Sequence, residues 1–184
     1  VVGVLNGATQ MQPLLSQSLP LLLDSIGAQA GVVYSYASSA LTPTAAVGLD
    51  LAMLPALRST EGLPGQALQQ QRTIVVADLP PDTPYRLHTG IGVFAPRGFA
   101  CVPLRSGREL LGVLVAASVQ RFGPDEVQQL SLTVAQLATA MSNVRAFEET
   151  QQIAEQLTES NAYQARLLES SDALQDIGRE LVMQ

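Results

Sequence analysis

The chain has 184 residues, 47% of them hydrophobic, and a formal net charge of −6. This apolar content is enough for a buried core and excludes a wholly disordered chain. The longest apolar runs are much shorter than the roughly 20 residues that cross a bilayer. We therefore expect no membrane partner.

Charge is unevenly distributed along the chain. Residues 1–144 contain seven arginines and eight acids, a net −1, whereas residues 145–184 contain three arginines and eight acids, a net −5. A nearly neutral domain followed by an acidic segment has no basic patch for a phosphate backbone. The composition therefore argues against a nucleic-acid partner.

Cysteine and histidine each occur once, at Cys101 and His88. A single cysteine cannot form an internal disulfide, which fits a reducing compartment, and it excludes zinc sites built from several cysteines. No cationic segment followed by an apolar run and a cleavage site opens the chain, which begins with Val1. We expect a cytoplasmic protein without a metal site, and we interpret the sequence as a piece of a longer chain.

Four elements are predicted before residue 78. They are, in order, a helix over 11–27, a hairpin of strands over 30–36 and 41–47, a short helical segment over 66–71 and a third strand over 73–77. The first helix follows from apolar residues that recur about every 3.6 positions, although Pro20 should kink or interrupt it. Ser38 and Ser39 mark the turn of the hairpin.

Residues 78–98 are predicted to form a long loop. The segment contains four prolines and three glycines, and at most one helical turn is expected, around Tyr85–His88. A loop of this length inside a compact domain is usually functional or mobile.

A second hairpin is predicted over 99–104 and 109–118, with Ser106 and Gly107 at its turn. The second of these strands is apolar from Leu110 to Ala117 and does not alternate, which indicates a sheet that is covered on both faces. We expect an α+β sandwich: an antiparallel sheet with helices on one face and a pocket closed by loops on the other. A long C-terminal helix follows.

The last helix is predicted to begin at Gly123-Pro124-Asp125-Glu126 and to continue to the end of the sequence. Its first apolar stripe has coiled-coil spacing and is the predicted dimer seam: Leu130, Val134, Leu137, Met141 and Val144. The phase breaks before Ile153, after which a weaker stripe resumes with the same spacing. We expect this helix to pair with a second copy of the chain, while part of the first stripe covers the domain's own sheet.

Several segments resemble the GAF-domain family. They are AQAGVVYSY at 28–36, EGLPGQALQQ at 61–70, TIVVAD at 73–78, FACVPLRSGRELLGVLV at 99–115 and FGPDEVQQL at 122–130. The resemblance covers about residues 11–148 and implies a GAF-like domain over 1–148, with a coiled-coil signalling helix over 149–184. Residues 173–182 (ALQDIGRELV) are similar to the opening helix of another GAF domain, so a second such domain is expected to follow, ahead of an output such as a histidine kinase.

The resemblance implies a small-molecule pocket but leaves its ligand, and any cofactor, unknown. Bilin-carrying members place a His beside a Cys, whereas Val102 follows Cys101 here. Reductases of this fold need several cysteines, and cyclic-nucleotide members carry a Lys that this chain lacks. A haem iron needs one axial His, but a single loop histidine such as His88 is more often solvated or hydrogen-bonded.

The candidate ligand-binding residues lie in or beside the predicted loop. They are Asp78, Tyr85, Arg86, His88, Phe94, Phe99 and Cys101. Arg86 or Arg97 could meet an anionic ligand; the alternative for the whole set is packing of the loop onto the sheet. No catalytic residues are predicted, since no nucleophile elbow or phosphate-binding motif is present.

Two functions fit these features. The first is a sensor that binds a small molecule beneath the loop and relays its presence through paired helices. The second is a structural dimerisation and spacer module whose pocket is filled by its own side chains. We do not expect an enzyme.

Overall fold

The computed structural model describes residues 10–79, 87–89 and 92–182, with side chains described at 10–79, 93, 95–158 and 160. Helices and strands follow in this order: α1 (Met11–Ser25), β1 (Ala30–Ala37), β2 (Ala40–Val47), a 3₁₀ turn (Leu51–Met53), β3 (Leu57–Arg58), α2 (Gly62–Gln70), β4 (Ile74–Ala77), β5 (Leu87–Thr89), β6 (Gly92–Phe94), β7 (Gly98–Ser106), β8 (Glu109–Ser118) and α3 (Pro124–Val182).

Six strands form one antiparallel sheet in the order β3-β2-β1-β8-β7-β4. The two predicted hairpins, β1–β2 and β7–β8, are joined side by side through β1 and β8, so the most apolar strand lies in the middle of the sheet. This arrangement confirms the α+β fold with an antiparallel sheet and a long C-terminal helix.

One face of the sheet packs against α1 and α3, and we call it the helix face. Its core includes Leu14, Leu19 and Leu22 of α1 and Leu137 of α3, each at most 1% exposed. The sheet contributes alternate residues such as Val33, Ala100, Val102 and Leu114. Burial of this many aliphatic side chains is the main stabilising contribution to the fold.

Pro20 lies inside α1, which continues to Ser25. The proline therefore does not interrupt the helix, and a kink at this position stays a prediction. The residues around it, Leu19, Leu22 and Leu23, are fully buried against the sheet, and this packing offsets the backbone hydrogen bond that the proline cannot donate.

The turns of both long hairpins need left-handed backbone. Ser38 and Ser39 both have positive φ, 48° and 63°, as the twist of a two-residue hairpin requires. In the second hairpin Ser106 pairs with Glu109, so the turn is Gly107-Arg108, one residue later than predicted, with Gly107 at φ 59°.

The middle of the chain differs from the prediction at two places. Helix α2 begins at Gly62, four residues before the predicted segment at 66, because the first turn already packs Pro64 and Gly65 into the domain. Strands β5 and β6 form a separate two-stranded sheet inside the predicted loop. Leu87 and His88 are therefore extended and not part of a helical turn, while Tyr85 lies outside the described residues.

The chain divides into two units, Val1–Arg145 and Ala146–Gln184. The first contains the sheet, α1, α2 and the start of α3. The second consists of the remainder of α3, and its described side chains at 149–158 and 160 are exposed. The predicted domain boundary between residues 148 and 149 stays a prediction.

Candidate functional site

The sheet face opposite the helix face carries a second apolar core, and we call it the second face. Strands β1, β7 and β8 each send alternate side chains to it, since successive residues of a strand point to opposite sides. Its buried members are Ala30, Val32, Tyr34, Leu41, Ala67, Leu68, Phe99, Cys101, Val113, Val115 and Ala117. The short helix α2 supplies Ala67 and Leu68, so this face is covered by a shorter helix than the two that cover the helix face.

Phe99 and Cys101, two of the predicted ligand-binding residues, both lie on the second face. They are 7% and 0% exposed, and they are paired across the sheet with Ala117 and Val115 of β8. The structure therefore brings these two predicted residues together on one surface.

Cys101 and Tyr34 are the titratable groups buried on this face among the side chains that the structure describes. Burial raises the pKa of Cys101 to about 12, because a thiolate loses its hydration in apolar surroundings. Burial also raises the pKa of Tyr34, and negative charge on Cys101 nearby adds to the shift. Both groups are therefore neutral near pH 7, and neither adds a charge to this face.

Asp78 lies beyond β4 at φ 53°, and it is held by two arginines. Its carboxylate accepts a hydrogen bond from Nε of Arg121 at 2.8 Å and forms an ion pair with the same guanidinium. Arg97 lies 3.6 Å from the carboxylate. Arg97, predicted as a partner for an anionic ligand, therefore already faces a carboxylate.

The remaining candidates lie in the segment around β5 and β6. His88 and Phe94 are in adjacent strands, with His88 paired to Val93 and Phe94 paired to Leu87. Tyr85 and Arg86 lie outside the described residues. The role of these four residues stays a prediction.

Tyr34, Ala67 and Leu68 belong to the same surface and were not among the predicted site residues. A pattern in the sequence could have found Tyr34: in β1 it stands two residues after Val32, so both point to one side of the strand. Ala67 and Leu68 carry no comparable pattern, because their position depends on how α2 packs.

The five residues of the predicted dimer seam all pack against the domain's own sheet, which was expected for part of this stripe only. Leu130, Val134, Leu137, Met141 and Val144 are 0–3% exposed within a single chain and belong to the helix-face core. Side chains buried against their own sheet cannot line a seam with a partner. The structure does not place these residues at an exposed seam, and the dimer itself stays a prediction.

A hollow of about 280 Å³ lies where α1 ends and α3 begins, and the sequence did not predict it. Its polar lining includes Ser118, Arg121, Asp125 and Glu126. Asp125 and Glu126 occupy the first turn of α3, where they stabilise the positive end of the helix dipole, and Arg121 is engaged with Asp78.

Ser118, a lining residue of this hollow, is 2% exposed and engaged in structural hydrogen bonds. It lies 3.2 Å from the carbonyl of Gly27 and 3.1 Å from Oε1 of Gln29, and it accepts from the amide of Gln120. These bonds join the end of β8 to the start of β1. A hydroxyl held in this way supports structure and has no orienting base.

Two further features of the described part of the chain concern metal binding and membranes. No group of three or more His, Cys, Asp or Glu residues there is placed to hold a metal ion. No helix there combines the length and the apolar character needed to cross a membrane.

Comparisons with solved structures show which known fold this is. The chain is similar to the GAF domain of a phosphoenolpyruvate-protein phosphotransferase from Coxiella burnetii, with a TM-score of 0.67 and 23% identity over 79% of this chain and 90% of that one. It is also similar to the free methionine-R-sulfoxide reductase of Neisseria meningitidis, with a TM-score of 0.64 and 22% identity over 78% and 85% of the two chains.

A third similar structure is the GAF domain/HD domain protein of Geobacter sulfurreducens, with a TM-score of 0.60 and 18% identity over 77% of this chain and 98% of that one. At these identities the three likenesses show the fold alone. No curated protein matches the chain. The sequence profile described as GAF domain matches residues 2–142, and the chain therefore belongs to the GAF-domain family.

Proposed function

We propose that the chain is a sensory module of a cytoplasmic signalling protein, that a small molecule binds on its second face, and that α3 relays the binding as part of a homodimer. A GAF domain is typically a sensory or regulatory unit. The observation that carries the proposal is the second face: an apolar surface in the middle of the sheet, covered by one nine-residue helix and by segments without regular structure.

In this proposal the strands themselves transmit the effect of ligand binding from the second face to α3. Phe99 and Cys101 of β7 point to the second face, while their neighbours Ala100 and Val102 point to the helix face, in the same core as Leu137. A ligand that shifts β7 must therefore change the packing under α3, because close-packed side chains transmit small displacements.

Two polar contacts join the sheet to α3 at the end of the first unit. Glu109, the first residue of β8, accepts a hydrogen bond from Ser142 at 3.1 Å and lies 3.2 Å from Nη1 of Arg145. Since the pair is about half exposed, it contributes little stability. Its role in the proposal is to fix the end of the hairpin to the helix that carries the signal onward.

The ligand that this face fits best is uncharged and largely apolar. A charged group placed beside Tyr34 and Cys101 would lose its hydration without gaining a partner of opposite charge, at a cost of several kcal/mol. Ring stacking on Phe99 would favour a flat aromatic or heterocyclic molecule. The output that receives the signal is proposed to be a histidine kinase, as in the sequence interpretation.

A ligand-free spacer is the second candidate. The supporting observation is that the protein's own atoms already cover much of the second face. Ala67, Leu41 and Cys101 are completely buried in the single chain. An enzyme is less well supported, because the only cysteine is buried and its raised pKa removes the thiolate that a reductase would need.

Native mass spectrometry of the protein as purified from cells, beside its denatured mass, tests the proposal. A dimer with additional mass that is lost on denaturation supports the sensor. A dimer of bare chains, also after incubation with flat heterocyclic compounds, overturns ligand binding and favours the spacer. A monomer with additional mass would retain the binding site but overturn the relay through paired helices.

A further inference from the structure

Tyr34 is a buried polar side chain on the second face whose hydroxyl has no partner there. The residue is 5% exposed and packs among apolar side chains of the same face. None of the described residues forms a hydrogen bond with its hydroxyl. Buried hydroxyls are rarely left in this state, because the hydration that they lose is normally replaced by another hydrogen bond.

The hydroxyl oxygen of Tyr34 lies where another molecule can reach it. Among the described side chains, no fully enclosed nitrogen or oxygen atom lacks a partner. The Tyr34 oxygen therefore keeps some accessible surface although the rest of the side chain is buried. A buried ring with an accessible hydroxyl presents one directed donor and acceptor at the surface of an apolar core.

Packing alone does not require this hydroxyl. The other buried members of the second face are Ala, Val, Leu, Phe and Cys residues, and a phenylalanine would fill nearly the same volume as Tyr34. A spacer whose second face is filled by its own side chains gains nothing from the hydroxyl. A binding site gains from it, since a few placed polar groups orient a ligand in a mainly apolar pocket.

A β-bulge holds Tyr34 at its position in the sheet. Val33 pairs with Ala45 of β2, while the next residue, Tyr34, pairs with Pro43. Thr44 is therefore the extra residue of the bulge, and its hydroxyl donates to the carbonyl oxygen of Val33 at 3.1 Å. Bulges redirect side chains and are frequent beside functional sites. The local backbone is thus built to set the direction of Tyr34.

Cys101 and Tyr34 lie on either side of β8. Tyr34 pairs with Val113 and Cys101 pairs with Val115, two residues further along the same strand. Burial raises the pKa of Tyr34, and negative charge on Cys101 adds to the shift, in agreement with this proximity. The phenol is therefore protonated near neutral pH and can donate a hydrogen bond.

From this arrangement we infer that the Tyr34 hydroxyl orients the small molecule on the second face by donating a hydrogen bond to it. The inference rests on the ligand binding of the proposed function and adds the polar contact. The class of ligand that it selects is a flat, uncharged molecule with a ring nitrogen or a carbonyl oxygen at its edge. A flat hydrocarbon would bury the same area but leave the phenol without a partner, and such sites disfavour analogues of that kind.

NMR titrations with two probes of equal shape test this hydrogen bond. Quinoline has a ring nitrogen that accepts a hydrogen bond, and naphthalene has a C–H group in its place. In the full 184-residue chain, Tyr34→Phe should weaken quinoline binding about fivefold and change naphthalene binding less than about twofold, because one neutral hydrogen bond is lost. Tyr36→Phe is the matched control, since it removes the same atom from a half-buried side chain two residues along β1.

The outcomes of the titrations separate two failures. Equal weakening of both probes, no weakening of either, or the same loss in Tyr36→Phe would overturn the role of Tyr34 while the face still binds flat molecules. If wild type binds neither probe, the role of Tyr34 is overturned together with the ligand of the proposed function.

Urea denaturation and native mass spectrometry provide readouts without an added probe. Tyr34→Phe should unfold at the same urea concentration as wild type, because no hydrogen bond within the described part of the chain is lost. A clearly lower midpoint would show that the hydroxyl is structural and would overturn the inference. Where wild type carries additional mass from cells, Tyr34→Phe should carry a smaller fraction of it. Undiminished mass would overturn the role of Tyr34 and leave the proposed ligand binding intact.

Discussion

At the scale of single residues, Cys101 and Tyr34 make the second face sensitive to pH in the alkaline range. The thiol pKa is raised from 9.0 to about 12 in the folded chain. Between these values the unfolded chain releases the thiol proton and the folded chain keeps it. Stability therefore falls as pH rises, by about 1.4 kcal/mol per unit for this group alone.

Urea denaturation at pH 8 and pH 10.5 measures this effect. Wild type should lose roughly 2 kcal/mol more of its unfolding free energy between the two pH values than Cys101→Ala does, because the variant lacks the titrating thiol. Tyrosines other than Tyr34 contribute equally to both proteins and cancel in the difference, whereas the contribution of Tyr34 depends partly on Cys101. Equal losses in the two proteins would show that the thiol is hydrated in the native state.

Gly112 is the residue where the middle of the sheet tolerates no side chain. It is paired with Ser35 of β1 and Leu104 of β7, and a Cβ atom there would overlap the carbonyl oxygen of Tyr34. Gly112→Ala should lower the unfolding free energy by about 2–3 kcal/mol, because the strands must move apart.

Gly107→Asn is the matched control for this substitution. Gly107 has left-handed backbone at φ 59° and no atom within 4 Å of an added Cβ, and asparagine accepts that conformation. Thermal unfolding should show a variant close to wild type. Comparable losses at Gly107 and Gly112 would mean that glycine flexibility, and not the close approach to Tyr34, sets the cost.

At the scale of elements, α3 shows what a sequence can and cannot predict here. Periodicity identified the apolar stripe from Leu130 to Val144, but it does not say what covers a stripe. The sheet covers it, because the two long hairpins present a complete apolar face.

The strands were predicted more accurately than the site. The uninterrupted apolar run from Leu110 to Ala117 correctly indicated a sheet covered on both faces, and β8 lies in the middle of the sheet as a result. Of the candidate site, Phe99 and Cys101 could be placed because strand alternation decides which face they share. Asp78 could not, because its contacts with Arg97 and Arg121 depend on how distant segments meet.

A pair of aspartate substitutions compares a buried position of α3 with an exposed one. Leu137→Asp puts a charge at a position that is 0% exposed, and it should unfold the domain, since an unpaired buried charge costs more than a domain of this size can offset. Leu132→Asp, five residues earlier and 63% exposed, should change the unfolding free energy of the monomer by less than about 1 kcal/mol.

Circular dichroism melts of dilute protein provide the measurement for this pair. The expected result is a cooperative transition close to wild type for Leu132→Asp and none for Leu137→Asp. Equal stability of the two variants would mean that α3 is not anchored to the sheet through the buried stripe. The proposed relay would then lack the packing contact through which a shift of the sheet is transmitted to α3.

At the scale of the whole molecule, the sheet lies between two cores that differ in how firmly they are covered. The helix face is closed by two helices of at least 15 residues, whereas the second face is closed by α2 and irregular segments. Local opening needs the least free energy where few buried contacts must be broken. Opening is therefore expected at the second face, and Cys101 is the only thiol in the chain that can report it.

The labelling rate of Cys101 by a disulfide reagent separates the sensor from the spacer. Because the thiol is completely buried, native protein should react at least about a hundredfold more slowly than protein in urea. If the second face holds a small molecule, protein as purified should also react several-fold more slowly than protein that was unfolded, dialysed and refolded, since a ligand stabilises the closed state by mass action. Equal rates before and after refolding would indicate a face filled by its own side chains, which favours the proposed spacer over the proposed sensor.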